Sequence, residues 1–529
     1  MVHPNLVYYS ADKIPKFNSF LKVDICVYGG TAAGVVAALA ACRRGRSVAL
    51  LVNGTHLGGL STGGLGATDF GVKEAIGGIA RQFYRELGRH YGCEERWYFE
   101  PHVASQVIAE WLNKEEIKPV YEAWLERLDV QGRQIRSLHC EGGLAVEADM
   151  YIDATYEGDL LAAAGVSYII GRECSETYDE LFNGIYFGHP NHNFEIAIDP
   201  YRIPGDPSSG LIPEISDIPP GRHGDGDHRI QAYNFRLCLT KIEENRVPFA
   251  RPPGYDPYRY ELLRRYLEAG YFDALSLSTS MPNGKTDTNN CGAFSTDYIG
   301  GNYRWPHAGY PEREFIFQEH VKYVLGLLFY LQNDAPDYVK DEVRNLGFAK
   351  DEFISTGNFP PQLYIREARR MVSDYVITEH DCLGAVMAAD SIGLGAYGMD
   401  SHNCQRIVKY GRVVNEGNVE IKGFPPYPIS YKSIIPRDGE CCNLLVPVCV
   451  SASHIAYGSL RMEPVFMLLG ESAALAADIA ISLKCDVQKV PYKKLKNHML
   501  ENGQVLVSSK VSINEESIAV NNVGSSLDP

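Results

Sequence analysis

The chain has 529 residues, too many for one ordinary hydrophobic core, so two or three domains are expected. Its net charge of −16 argues against nucleic acid or an anionic membrane as a partner. No apolar run approaches the roughly 18 residues that span a bilayer. The first residues lack a secretory leader pattern, and the thirteen cysteines contain no CxxC pair. These features predict a cytoplasmic protein.

The first predicted unit is a strand, a glycine turn, a helix and a second strand. An apolar strand over residues 23–28 runs into Gly29, Gly30 and Gly34, an alanine-rich helix follows, and a second apolar strand covers residues 47–52. A helix that starts at such a turn offers free N–H groups and the positive end of its dipole to a pyrophosphate. The unit therefore predicts a dinucleotide site.

Two positions depart from the usual dinucleotide fingerprint. Thr31 occupies the middle glycine position of G-x-G-x-x-G, and Val52 and Asn53 stand where an acidic residue would hold a ribose hydroxyl. Asn53 can still hydrogen-bond a ribose, although without charge. A glycine-tight turn that binds no nucleotide is the alternative interpretation. The cofactor residues predicted here are Gly29, Gly30, Thr31, Ala32, Ala33, Gly34, Val52 and Asn53.

A second glycine-rich segment, LGGLSTGGLGATDFG, occupies residues 57–71 and is too flexible to stand without a partner. His56 precedes its Gly58-Gly59 pair and is expected to shape the loop at the pyrophosphate, and Thr62 lies within the segment. Two amphipathic helices are predicted next, over residues 76–87 and 103–112. An antiparallel meander over residues 118–146 and a buried strand over residues 150–155 follow.

From residue 176 to residue 424 proline, glycine, tyrosine and charged clusters increase, with one clear strand (residues 231–240) and one clear helix (residues 313–331). Near residue 434 the earlier composition resumes, with an apolar strand at residues 444–450 and a helix at residues 467–482. The polar stretch 511–529 is predicted to be disordered. The predicted domains are a nucleotide-binding domain from residues 21–175 and 425–485, an inserted substrate domain over 176–424, and a C-terminal extension over 486–529.

Four separated segments together resemble one family. They read GGTAAGVVAA with HLGGLSTGGLGATD, YIDATYEGDLLAAAG, PNGKTDTNNCGAFSTD, and SHIAYGSLRMEPVFMLLGESAALAA. Over residues 22–485 they are similar to FAD-dependent oxidoreductases of the glutathione-reductase-like superfamily, including a branch labelled FAD-dependent oxidoreductase or xanthan lyase. The resemblance implies an α/β fold with a Rossmann-type FAD-binding domain made from both ends of the chain and an inserted α+β substrate domain.

The resemblance also implies further cofactor contacts. The segment that contains Thr155 and Asp159 would close over the dinucleotide, and the helix that covers residues 467–482 would point its N-terminus at the flavin pyrimidine. Positive helix-end charge there stabilises the anionic reduced flavin. Glu463, beside a proline, favours helix initiation at this point, and Arg461 is expected to add full positive charge.

A flavin performs the redox step, so the protein must orient the substrate and handle a proton. His454, predicted in the loop before that helix, is the candidate base; cofactor contact or a structural hydrogen bond is the alternative. Lys285 and Asp287, with Asn289 and Asn290, fall in a polar turn that suits vicinal hydroxyls, although a solvated loop has the same composition.

Two basic features of the sequence do not determine the chemical class of the ligand. Arg236 on the predicted strand suggests an anionic or polyhydroxy ligand, but pairing with an acid is equally expected. The basic run 366–370 is more typical of a helix face than of an anion site. Three functions remain: an FAD oxidoreductase acting on CH–OH groups of a sugar, polyol or related small molecule; an FAD amine or amino-acid dehydrogenase; and a non-redox flavin-binding protein or lyase. The electron acceptor is open.

Overall fold

The computed structural model describes residues 3–17 and 19–508, so the polar tail predicted over residues 511–529 lies outside the described chain. The described residues form these strands: β1 (Ser19–Tyr28), β2 (Val48–Leu51), β3 (Leu125–Gln131), β4 (Gln134–Cys140), β5 (Leu144–Asp153), β6 (Tyr168–Ile169), β7 (Tyr201–Ile203), β8 (Asp206–Leu211), β9 (Leu237–Thr240), β10 (Arg246–Val247), β11 (Lys285–Thr288), β12 (Gly347–Ala349), β13 (Arg370–Met371), β14 (Ser391–Gly395), β15 (Met399–Ser401), β16 (Gln405–Lys409), β17 (Arg412–Glu416), β18 (Val419–Ile421), β19 (Tyr427–Ser430) and β20 (Leu444–Leu445). The α-helices are α1 (Ala32–Arg43), α2 (Gly78–His90), α3 (Pro101–Lys114), α4 (Asp159–Ala163), α5 (Glu261–Glu268), α6 (Tyr310–Asn333), α7 (Asp337–Val343), α8 (Glu379–Cys382), α9 (His454–Leu460), α10 (Glu463–Leu483) and α11 (Tyr492–Glu501).

The central sheet joins the two ends of the chain. Its order is β2–β1–β5–β4–β3, and β20 pairs with β5. β1 runs parallel to both β2 and β5, and β20 runs parallel to β5, whereas β3 and β4 form an antiparallel edge. Val27 and Ile152 are completely buried, as expected for parallel strands covered on both faces. The predicted α/β class and the meander are therefore confirmed; the domain limits stay a prediction.

Helix α10 packs against α1 with almost no side chain between them. A Cβ on Gly470 would lie 2.4 Å from the carbonyl oxygen of Ala33, so the two helix backbones approach as closely as glycine permits. Within residues 3–17 and 19–508, α10 is the one helix long and apolar enough to cross a membrane, but 89% of its apolar window is buried inside the protein. Its apolar surface is therefore accounted for by core packing.

The region from residue 176 to residue 424 has short strands around one long helix. An antiparallel sheet has the order β10–β12–β9–β11. Just before β9, Phe235 makes an edge-to-face contact with Phe317 of α6 at 5.4 Å. The helix begins earlier than predicted because Pro311 falls in its first turn, where a proline is favourable. Tyr298 stacks on Tyr323 of the same helix at 4.7 Å.

Two predicted strands are shorter in the structure. Only Leu237–Thr240 of the predicted strand over residues 231–240 belongs to a ladder; before it, Tyr233 and Asn234 make only isolated bridges, to Tyr298 and Tyr364. Gln231 donates to Glu367 at 3.1 Å and Asn234 donates to Asn289 at 3.0 Å. The predicted strand over residues 444–450 is likewise reduced to β20.

Two polar segments also differ from their predicted conformations. The basic run 366–370 forms no helix: Arg366 pairs with Asp297 at 2.9 Å, Arg370 pairs with Glu173 at 2.6 Å, and both guanidinium groups are buried. The prediction of a helix face was wrong because acids distant in sequence pair with these charges in an extended segment. The polar turn predicted around Lys285 is instead strand β11.

Candidate functional site

The turn between β1 and α1 is so tight that two of its positions accept only glycine. Gly29 has φ +117°, and a Cβ there would lie 2.6 Å from the Ala154 carbonyl carbon. A Cβ on Gly34 would lie 2.0 Å from the Gly29 oxygen. Helix α1 therefore begins directly at the carboxyl ends of β1 and β5, where its first N–H groups precede the first intrahelical hydrogen bond.

Thr31 has a structural reason to replace the fingerprint glycine. It is the N-cap of α1, and its hydroxyl accepts the Gly34 N–H at 3.2 Å. The same hydroxyl donates to the Ala154 oxygen at 2.7 Å, which fastens the helix to the end of β5. The departure from the usual motif therefore strengthens this turn.

A cavity surrounds the turn, and several predicted cofactor residues line it. The complete lining is Asn5, Leu6, Val7, Tyr8, Gly30, Thr31, Asn53, Gly54, Thr55, His56, Gly59, Thr155, Tyr156, Glu157, Pro361, Gln362 and Leu363. Predicted residues that do not line it are Gly29, Ala32, Ala33, Gly34, Val52, Gly58, Thr62, Asp159, Arg461 and Glu463. None of the described residues that line this cavity is Lys or Arg, so backbone N–H groups are its source of positive potential. We call it the dinucleotide cavity.

His56 holds the loop at the wall of the dinucleotide cavity. Its Nε2 lies 3.1 Å from the Gly59 oxygen and 2.9 Å from the Thr62 hydroxyl. Burial lowers the pKa of His56 to about 4, so the ring is neutral at physiological pH. Gly58 donates its N–H to the Gly30 oxygen at 2.6 Å and thereby joins this loop to the α1 turn.

The segment after β5 places one carboxyl in the dinucleotide cavity and a second one outside it. Asp159 pairs with Arg313 at 2.6 Å and with Arg369 at 2.8 Å instead of lining the cavity. Glu157, which sequence reasoning missed, does line it. Burial raises the pKa of Glu157 to about 7; the Arg313 guanidinium opposes this shift and the Asp159 carboxylate adds to it. Its position just after a parallel strand was a signal that could have identified it.

The N-terminus of α10 is tied to the glycine-rich loop. Glu463 accepts hydrogen bonds from the Ser61 hydroxyl and the Tyr156 hydroxyl, both at 2.7 Å. Burial raises the pKa of Glu463, while these two donors oppose the shift. Arg461 donates to the Tyr364 hydroxyl at 2.9 Å and pairs with Asp400 at 2.9 Å, so its charge is already matched.

A second cavity, of about 480 Å³, opens beside the end of the glycine-rich segment. It is lined by Ala67, Thr68, Asp69, Tyr98, Arg236, Ser276, Ser278, Thr279, Ser280, Asp287, Asn289 and Asn290. Arg236 and Asp287 form a two-pronged ion pair at 2.9 and 2.6 Å. Asp287 also accepts the N–H groups of Gly66 and Ala67 at 2.9 and 2.6 Å, so the ion pair fixes the loop. We call it the polar cavity.

Lys285 does not line either cavity. Its ammonium is completely buried, 2.6 Å from Glu100 and 2.8 Å from both Asp351 and Glu352. Burial acts to lower the pKa of Lys285, but the hydrogen bonds that its ammonium donates to these carboxylates outweigh it and raise the pKa. His102 joins Glu100 and Glu352 in a group whose potential ligand atoms lie within 4.8 Å of one another, and the Lys285 ammonium supplies positive charge there.

His454 is the first residue of α9 and also lines neither cavity. Its Nδ1 lies 2.8 Å from Glu367 Oε2, and its Nε2 lies 3.0 Å from Ser401 Oγ. All three side chains are buried. Sequence reasoning missed Glu367 and Ser401 because neither stands near His454 along the chain.

Comparisons with known proteins identify the family. Similar solved structures include a flavin-containing monooxygenase from Stenotrophomonas maltophilia (16% identity, covering 30% of this chain and 44% of that chain, TM-score 0.21) and L-proline dehydrogenase from P. horikoshii (13%, 29%, 59% and 0.25). The chain thus spans less than two thirds of the length of these relatives. A search of curated proteins found no match. A model of the family "FAD dependent oxidoreductase" matches residues 24–499, most of the chain. The chain therefore belongs to the FAD-dependent oxidoreductase family.

Proposed function

We propose that FAD binds with its pyrophosphate in the dinucleotide cavity and its flavin between the glycine-rich loop and the N-terminus of α10. Free N–H groups at the start of α1 suit the pyrophosphate, and Asn53 can hydrogen-bond a ribose. Glu463, tied to Ser61 and Tyr156, fixes the loop against α10 so that both can face one planar ring. When bound, FAD supplies two-electron redox chemistry.

We further propose that the substrate is a neutral sugar or polyol, oxidised at a CH–OH group. The polar cavity carries this proposal. Eleven of its twelve lining residues bear hydroxyl, amide or charged groups, or a phenol. Such a mixture of donors and acceptors suits several adjacent hydroxyls, which both donate and accept hydrogen bonds.

Charge in the polar cavity favours a neutral over an anionic substrate. The one arginine, Arg236, is already paired with Asp287, and Asp69 adds a second carboxylate. A substrate carboxylate would have to compete with Asp287 for the same guanidinium, and would lose a buried ion pair in doing so. Sugar acids and amino acids are therefore disfavoured relative to their neutral analogues.

We propose Asp69 as the acceptor of the substrate hydroxyl proton. Asp287 is saturated by four hydrogen bonds, whereas Asp69 has only two long contacts, 3.5 Å to Arg236 and 3.3 Å to the Tyr397 hydroxyl. Its side chain is 35% exposed, so substrate can reach it. The base predicted from sequence, His454, stays a prediction; it would need to exchange its Ser401 contact for substrate.

An amine or amino-acid substrate is the second candidate. A site for an amine usually encloses it with aromatic faces, and Tyr98 is the one aromatic side chain among the described residues that line the polar cavity. The polar lining therefore favours hydroxyl groups.

The deciding experiment mixes FAD-loaded protein with candidate substrates without oxygen and follows loss of the visible flavin absorbance. The panel contains neutral polyols and sugars, the matching sugar acids, and amino acids. We expect reduction by one or more neutral polyhydroxy compounds and at least tenfold slower reduction by their acids. Reduction by amino acids alone would replace this proposal with the second candidate.

A further inference from the structure

We propose that residues 5–8, the N-terminal strap, form a wall of the FAD site and hold the cofactor in place. The strap precedes the region that matches the family, which begins at residue 24. Nevertheless all four of its residues line the dinucleotide cavity, together with Gly30 and Thr31. This inference rests on the proposed location of FAD.

The strap is fastened to helix α6 rather than to the sheet that carries the α1 turn. Glu314 accepts the N–H groups of Tyr8 and Tyr9 at 2.6 and 3.0 Å. One turn further along the same helix, Gln318 donates to the Leu6 oxygen at 2.7 Å and to Glu314 at 2.9 Å. Two side chains of one helix therefore hold two main-chain groups of the strap and the N–H of the next residue, Tyr9.

Apolar packing adds to these hydrogen bonds. Leu6 is 1% exposed. The Tyr8 ring makes edge-to-face contacts with Trp124 at 5.3 Å and Trp305 at 4.8 Å. Its hydroxyl lies 3.3 Å from Glu157, which also lines the dinucleotide cavity. Tyr8 thus connects the strap, the inserted region and the segment after β5.

Between these anchors, Val7 makes no main-chain hydrogen bond to any residue within 3–17 or 19–508, although it is half-buried at the cavity wall. Its N–H and C=O can therefore hydrogen-bond the polar atoms of a dinucleotide that occupies this cavity. FAD that lies across Gly30 would be covered by the strap, so release requires the strap to leave α6.

The experiment measures FAD dissociation from the full chain, following the rise of flavin fluorescence after dilution. The variant Glu314→Ala/Gln318→Ala removes the hydrogen-bonded anchors and keeps the strap; a second variant deletes residues 3–9. The matched control is Glu312→Ala on the same helix, which loses only an exposed ion pair with Arg304 at 2.8 Å. We expect at least tenfold faster release from the anchor variant and release within twofold of wild type from the control.

Melting of the apoprotein, followed by circular dichroism, separates binding from folding. If the anchor variant melts earlier but releases FAD at the wild-type rate, the strap is a structural segment only and the inference is overturned. If the deletion variant does not fold, the anchor variant still decides. Gly34→Glu tests the location itself: retention of FAD by both Gly34→Glu and the anchor variant would refute the proposed site, whereas loss of FAD by Gly34→Glu alone would refute only the strap.

Discussion

Two regions of the molecule are held together in different ways. One is the dinucleotide half, which consists of β1, β2, β5, β20, α1 and α10, and the other is the inserted region over residues 176–424. The first uses backbone proximity: Gly29, Gly34 and Gly470 each sit where a Cβ would lie within 2.6 Å of another backbone atom. The second uses buried ion pairs, such as Arg236 with Asp287. The comparison teaches that close backbone packing can shape the dinucleotide cavity while paired side chains shape the polar cavity.

Gly34→Glu should have the largest effect, and it acts on the dinucleotide half. A Cβ at this position would lie 2.0 Å from the Gly29 oxygen. The added carboxylate would also repel a pyrophosphate bound at the proposed position. We expect no bound flavin, measured as visible absorbance per protein, or no folded protein. Gly132→Asn, at a turn with open space around it, is the control and should remain yellow. Full flavin content in Gly34→Glu would move the cofactor elsewhere.

Asp69→Asn tests the polar cavity, which Asp69 lines together with Arg236 and Asp287 of the inserted region. Loss of a general base typically slows the chemical step by about 10²–10⁴-fold, equivalent to about 3–5 kcal/mol of barrier. We expect that fall in the anaerobic flavin-reduction rate, with normal FAD content. His454→Ala, assayed in parallel, distinguishes the two candidate bases: the larger fall in His454→Ala would transfer the role to His454.

Lys285→Met should destabilise the fold without acting on catalysis directly. It leaves Glu100, Glu352 and Asp351 without their buried ammonium, and removing one partner of a buried ion pair costs about 3–5 kcal/mol. Urea unfolding measures this loss. Lys22→Met, which breaks a pair with Glu147 at the exposed end of β1, is the control and should unfold like the wild type. Equal stability of both variants would contradict the role given to Lys285.

Glu157→Gln should have the smallest effect and a pH-dependent one. The folded protein raises the pKa of Glu157 to about 7, so its protonated form is favoured. Stability from this group is therefore present at low pH and lost as pH rises from about 4.5 to 7. Arg313, Asp159 and Tyr8 face the carboxyl. We expect the glutamine variant to gain about 1–3 kcal/mol over wild type above pH 7, and nothing at pH 4. A constant difference across this range would reject the assignment.

The difference between the two regions also explains how far the sequence could be interpreted. The β1–α1–β2 unit and the return of the chain through β20 and α10 were predictable, because periodicity and glycine spacing are local signals. So was the polar character of the segment around Asp287. The contacts of His454 with Glu367 and of Lys285 with Glu100 were not, because each joins residues far apart in the chain and nothing local marks the partner.

Asp69 illustrates the same limit within a recognised motif. It lies within the glycine-rich segment over residues 57–71, whose importance was evident. Asp69 nevertheless differs from the saturated Asp287 because Arg236 pairs with Asp287 at 2.6 Å and with Asp69 at 3.5 Å, which no local pattern shows. Likewise the strands predicted over residues 231–240 and 444–450 were too long because apolar composition does not show where a ladder partner ends.

The close contact of Gly470 with Ala33 also sets the order of events during synthesis. Helix α1 emerges from the ribosome early, but the surface that covers it arrives more than four hundred residues later. At translation speeds of about 5–20 residues per second, the alanine-rich face of α1 stays without its partner for roughly 20–90 s. Nascent chains therefore pass through a long stage in which the half-built core is exposed, and chaperone binding or slow codons in the intervening region should influence the yield of folded protein more than they influence its final stability.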